Sequence, residues 1–297
     1  MAQRRTYRRW AILCAVAVVV ALVAVGAATS RIVSTQGKTA LDITHRIYVP
    51  ILLYHHISTD ETMLGKFCIA PSELENDLIY IKENGYTPIH IRQLVDYCYS
   101  GTPLPERPVV ITFDGCFSSG YAYAFKLLQK YDAKAVFAIV GADVDRASAQ
   151  SRSTDAAYLR WSELREMTES GLVEIANQSY DMNHYTDTAR RGTARLKSED
   201  MDTYSLALYD DVMKLQQEAS DVLGVIPSVF SYPYGIIDKD AVNLISEMGF
   251  AVTLSWKHGA NYLSQDTRDL FSLRRTVRMH GEYLDDVFDR IYRARIV

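Results

Sequence analysis

Apolar positions along the chain fall into two textures. From Trp10 to Ala28 they run almost unbroken, with no charged residue among them. That length predicts a helix able to cross a bilayer. From Tyr48 onward the pattern changes to short, β-branched apolar runs separated by helical periodicity. Val49 to Tyr54, Val109 to Phe113, Ala135 to Val140, Leu172 to Ala176, Ser228 to Tyr232 and Phe250 to Leu254 are predicted as buried strands. Between them, Ser72 is expected to cap a helix ending at Gly85, Ser162 one ending at Gly171, and Asp238 one ending at Gly249. A longer amphipathic stretch from Asp202 to Leu223 stops at Gly224. Strand and helix alternating over this distance, with apolar strands and no second domain, predict an α/β fold: a parallel sheet closed into a distorted (β/α) barrel.

The residues that flank the apolar run predict its orientation. Arg4, Arg5, Arg8 and Arg9 precede the apolar run, so residues 1–9 are expected to be a cytoplasmic basic tail and 10–29 a transmembrane signal anchor. Polar residues 30–46 then form a stalk, and 47–297 an extracytoplasmic domain on a single-pass membrane protein. A cleaved signal peptide is the alternative, since Gly26, Ala27 and Ala28 offer small residues at a cleavage point, although the apolar run exceeds the usual signal length. At 297 residues and 48% hydrophobic composition the chain can bury a full core. Its net charge of -4, with both signs interspersed, excludes nucleic acid as a partner. Outside the apolar run stand Cys68, Cys98 and Cys116; Cys68 and Cys98 could pair, or both could be buried thiols.

In barrels of this kind the working side chains lie just past the C-terminal ends of strands. Those positions hold Tyr54-His55-His56, Asp114-Gly115-Cys116, the run Asn177 to His184, and Ser231-Tyr232-Pro233-Tyr234-Gly235. Asp114 could equally be a turn residue, and the two histidines a buried hydrogen-bonded pair with one ring on the pocket. Tyr232, Tyr234 and Trp256 are either core packing or a wall on which a sugar stacks.

These segments resemble the polysaccharide deacetylase family, also called the NodB homology domain. The likeness rests on Pro50 to Ile57, Thr112-Phe113-Asp114, Trp161 to Tyr180, Phe230 to Gly235, the spacer Glu83 to Ile89, and Leu273 to Val277. It implies metal-assisted removal of acetyl groups from cell-envelope glycans, with a divalent ion such as zinc polarising the carbonyl and an aspartate as base. It places Asp114 at the base position, Arg275 as the residue orienting it, and the Tyr234 backbone as oxyanion donor. His55, Tyr232, Pro233, Gly235 and Trp256 become candidates for binding substrate.

At the metal the resemblance breaks. The family's ligand positions, an aspartate and two histidines, fall on Gly115, Gln178 and Asn183. A hydrogen and two neutral amides cannot replace a carboxylate and two imidazoles. No cofactor is therefore expected, and the leading expectation is a catalytically degenerate member that binds an N-acetylated envelope glycan or an envelope protein. One alternative is an active deacetylase with a rebuilt metal site of Asp114, Cys116, His184 and His55. Another is a structural interaction module whose cleft is filled by its own side chains.

Overall fold

Residues 46–150, 157–183 and 190–294 are described by a computed structural model of the chain. Its centre is a sheet in which β1 (Ile51–Tyr54), β2 (Pro108–Asp114), β3 (Ala135–Ile139), β4 (Val173–Asn177), β5 (Val229–Ser231), β6 (Val252–Leu254) and β7 (Thr276–Val277) lie in the order β6-β5-β4-β3-β2-β1-β7. Every neighbouring pair is parallel. The sheet curls into a half-barrel. On the approach to β7 the chain runs beside β6, with Ser255 N–H donating to the Leu273 carbonyl at 2.9 Å and Leu273 N–H to that of Thr253 at 2.9 Å. The distorted parallel (β/α) barrel expected from the sequence is met at this level.

Because side chains alternate across a strand, each strand divides its residues between two cores. Leu52, Tyr54, Ile111, Phe113, Phe137 and Ile175 face the helices, where the rings of Tyr54, Phe113 and Phe137 stack at centroid distances of 5.2 and 4.6 Å. Ile51, Val110, Val136, Ala138, Ala176, Val229 and Val252 fill the inside of the curl. Continuing the second parity to the strand ends brings Asp114, Gln178 and Ser231 to the mouth of that interior. This alternation is what builds the site.

The helices begin and end where local chemistry allows. Gly85, Gly171, Gly224 and Gly249 all take positive φ, the left-handed conformation that stops a helix without a steric penalty. The starts differ in part from expectation. Asp238 does cap its helix, accepting from the Asp240 and Ala241 N–H groups. The long helix Met201–Leu223 is instead capped by Asp200, which accepts from Thr203 N–H at 2.8 Å. Ser72 and Ser162 lie inside their helices, Pro71–Glu83 and Trp161–Glu169. There Glu73 and Glu163 reach back to the N–H groups of Ala70 and Arg160 and hold the first turn without a hydroxyl cap. The predicted strand from Val49 to Tyr54 is split at Pro50; Val49 pairs antiparallel with Asn261 in a separate two-stranded sheet.

The tail, apolar run and nearly all of the stalk lie outside the described residues. Among the described residues no helix is long and apolar enough to cross a membrane. Cys68 and Cys98 are free, buried thiols, which decides between the two readings of that pair.

Candidate active site

The carboxylate of Asp114 sits at the end of β2, almost entirely buried, and is gripped from several strands. Arg275, only 1% exposed, donates to Asp114 Oδ1 and Oδ2 from its two terminal nitrogens, both at 2.7 Å. The rest of the guanidinium is equally engaged: Nε donates to the Ser255 carbonyl at 2.9 Å, Nη2 to Ser231 Oγ at 3.0 Å and Nη1 to Thr112 Oγ1 at 3.4 Å. All five of its N–H donors are thus used. Burial alone would raise the Asp114 pKa, but the adjoining guanidinium outweighs it and holds the carboxyl below its ordinary value.

Gln178 completes the grip. Its Nε2 donates to Asp114 Oδ2 at 3.0 Å, while its Oε1 accepts from Gly115 N–H at 3.2 Å. Ser231 Oγ adds a further donor to Oδ2 at 3.3 Å. The amide oxygen, the only part of Gln178 able to ligate a cation, is therefore turned to the backbone. Gly115 has φ +92, and a Cβ built there would meet Phe117 Cε2 at 2.8 Å, so the ring already fills the space a side chain would need. These residues do not fit a divalent ion. Among the described residues no group of three or more histidines, cysteines, aspartates and glutamates is arranged to hold a metal.

Around Asp114 opens a cavity of about 900 Å³, and His55, Gly115, Gln178, Asn183, Tyr234, Gly235, Trp256 and Arg275 all line it. His56 lines it too; its Nδ1 meets Ser119 Oγ at 3.0 Å, so the two histidines are not a pair bonded to each other. His55 Nδ1 is buried with no hydrogen-bond partner, and burial lowers the pKa of this imidazole against the opposing pull of Asp114. Tyr234 adopts φ 56, and its hydroxyl donates to the Asn183 carbonyl, which pins the turn after β5 to the segment after β4. Gly235 is required by its neighbour: a Cβ there would fall 2.1 Å from that of Trp256.

Three sequence expectations are corrected. Tyr232 is 1% exposed and lies with Phe230 and Phe250 in a separate core under the helix Met201–Leu223, because its parity is that of Phe230 and opposite to Ser231. Pro233 is buried and does not line the cavity. Cys116 turns at φ 43 into the helix-side core, its thiol against the Val140 carbonyl and its pKa pushed far up by burial. It cannot share a metal with Asp114, and His184, the remaining member of the rebuilt set, lies outside the described residues.

The cavity wall also holds side chains that sequence reasoning missed. Phe67 stands 5.6 Å from Trp256 and 4.9 Å from His55, ring centre to ring centre, and Lys66 Nζ lies 5.0 Å from the Phe67 ring and 5.1 Å from that of Trp256. Phe117 flanks His56 at 4.9 Å. Neither Phe67 nor Lys66 lies in a periodic element; pairing of Cys68–Ile69 with His56–Ile57 carries them to the mouth.

With the geometry in place, comparison with known proteins assigns the family. The sequence model of polysaccharide deacetylases matches residues 101–253. The chain belongs to the polysaccharide deacetylase family. It is similar to the poly-beta-1,6-N-acetyl-D-glucosamine N-deacetylase of Escherichia coli K12, at 27% identity over 237 residues, covering 71% of this chain and 34% of the relative. The chain thus spans about a third of that protein's length. A protein of the same name from Staphylococcus aureus is 22% identical over 208 residues, covering 70% of this chain and 67% of the relative. Among solved structures, a de-N-acetylase from Aggregatibacter actinomycetemcomitans superposes with a TM-score of 0.68 at 21% identity, covering 81% of this chain and all of that one. The Streptococcus pyogenes deacetylase PplD superposes at 0.66 and 18% identity, covering 83% and 99%. At these identities the superpositions establish the fold alone.

Proposed function

We propose that this polysaccharide deacetylase family member is catalytically silent and binds an N-acetylated cell-envelope glycan in the cavity around Asp114. The observation that carries this reading is Gln178, whose amide bridges Asp114 Oδ2 and Gly115 N–H at the place where the family resemblance puts a metal ligand. With Arg275, Gln178 and Ser231 all donating to it, the Asp114 carboxylate in this reading serves to hold the strand ends together. The half-exposed rings of Phe67 and Trp256 offer apolar faces of the kind a pyranose packs against. The names of the relatives make poly-β-1,6-N-acetylglucosamine the first glycan to test.

Residues 10–29 anchor the protein in the cell membrane in this reading, residues 30–46 form the stalk, and the family domain faces outward. Protease added to intact cells should then remove the domain and leave a membrane-bound stub; protection of the whole chain would reverse the orientation, and a mature chain beginning near Thr29 would make the segment a cleaved signal.

The function is tested on the purified full-length chain. Elemental analysis should find well under one equivalent of zinc, acetate release from acetylated oligosaccharides should be absent, and the same oligosaccharides should bind. A stoichiometric metal with acetate release would establish an active enzyme instead. Absence of binding to any envelope glycan would favour a module that docks an envelope protein.

A further inference from the structure

The cavity carries charge from three of its lining residues, Lys66, Asp114 and Arg275. Two of these cancel, since Arg275 and Asp114 form a buried, two-point ion pair at 2.7 Å. Burial disfavours protonation of both His55 and His56. The charge left over is the Lys66 ammonium, which has no ion-pair partner among the described residues and lies over the faces of Phe67 and Trp256.

Resting on the glycan-binding reading above, we propose that the cavity accepts the N-acetylated, uncharged form of a hexosamine polymer and rejects the de-N-acetylated form, and that Lys66 is the residue that sets this preference. An exposed pair of aromatic faces would otherwise attract a protonated amino sugar through the ring quadrupoles. Lys66 already places its own ammonium 5.0 and 5.1 Å from those two ring centres. A glucosamine ammonium entering beside it meets like charge, and no carboxylate among the described lining residues is free to offset it, because Asp114 is committed to Arg275. An acetamido group carries no charge and meets no such penalty. The protein therefore recognises the material that a glycan N-deacetylase consumes and not the material it releases.

The test is equilibrium binding of the full-length chain to a β-1,6-linked N-acetylglucosamine oligomer and to its de-N-acetylated counterpart, at a pH where the free amine is protonated. The acetylated oligomer should bind tighter by about three- to tenfold, the effect of one like-charge contact at the edge of a solvated cavity, and added salt should narrow the gap. Lys66→Met should erase the preference and Lys66→Glu reverse it, both with an unchanged melting temperature because Lys66 is exposed. A preference that survives in both variants, or equal binding of the two oligomers to the unmodified chain, would overturn the assignment while leaving glycan binding intact. Binding of neither oligomer would overturn the glycan reading and this inference with it.

Discussion

Gln178 Nε2 lies 3.0 Å from Asp114 Oδ2 and donates to it. With the two-point contact from Arg275, this ties β2, the end of β4 and the approach to β7 together at the mouth of the half-barrel. Each consequence of that arrangement can be measured separately.

Arg275→Met should destabilise the protein by about 3–5 kcal/mol, because it leaves a buried carboxylate without its counter-charge. Asp114→Asn combined with Arg275→Met should recover much of the loss, and urea unfolding of the four proteins reads the coupling. Gln178→Ala removes one donor to Asp114 and should cost about 1–3 kcal/mol. The acid side follows from the depressed folded-state pKa of Asp114. Its contribution is present above the ordinary aspartate value and is lost as pH falls through the depressed one, so Arg275→Met should shift acid unfolding to higher pH. Equal stability of Arg275→Met and the unmodified chain would remove the anchor role.

A second buried carboxylate behaves in the opposite sense. Glu174, on β4, accepts from the N–H groups of Ile91 and Arg92 at 2.6 and 3.1 Å, at the start of the helix Ile91–Ser100. Burial outweighs these hydrogen bonds and raises its pKa from 4.5 to about 7. The folded state then holds a proton that the unfolded chain has released, so the Glu174 contribution to stability falls as pH rises from 4.5 to about 7 and levels off above it. Glu174→Gln should flatten that part of the profile, measured as melting temperature against pH. A profile unchanged by the substitution would show that the two N–H donors dominate over burial.

Much of this was legible in the sequence, and the reason is periodicity. The strand runs and glycine stops follow from local rules, and two-residue alternation carried to the strand ends selects Asp114. The same alternation assigns Tyr232 to the core with Phe230 and so chooses core packing over the sugar-stacking wall, the two readings the residue types leave open. Cys116 drops out of the alternative metal set for a different reason: a positive-φ turn at Gly115 and Cys116 rotates the thiol away from the carboxylate of Asp114. Phe67 and Lys66 could not be found at all, since an irregular segment reaches the cavity only through the pairing of two short strands.

The wall distinguishes binding residues from core residues. Phe67→Ala and Trp256→Ala should each weaken glycan binding by about 1 kcal/mol, in line with loss of one aromatic face, with little effect on folding. Tyr232→Ala should instead cost about 3–5 kcal/mol of stability, as expected for a fully buried ring, and leave the affinity of the folded fraction unchanged. Gly235→Ala should act on the wall indirectly, since its new methyl would displace Trp256. Titration calorimetry alongside thermal melting separates the two classes, and a Tyr232 variant that folds normally but binds weakly would return that residue to the site.

Restoring the metal donors tests whether the backbone still permits them. Gln178→His and Asn183→His replace neutral amides with imidazoles, yet the third donor must come from Gly115→Asp, at a residue whose φ is +92 and whose Cβ would fall 2.8 Å from the Phe117 ring. A non-glycine residue in that conformation costs about 1–3 kcal/mol before any ligand geometry is considered. The triple reversion should therefore bind zinc only weakly, and adding Phe117→Ala should tighten it by at least tenfold, since the carboxylate can then occupy the space the ring has filled. Competition against a zinc-binding dye gives both affinities, and single reversions should give no measurable site because one good donor cannot hold the ion. Tight zinc binding by the triple reversion with Phe117 retained would mean that the Gly115 turn relaxes freely and that only the three side chains separate this chain from a metal-binding member of its family.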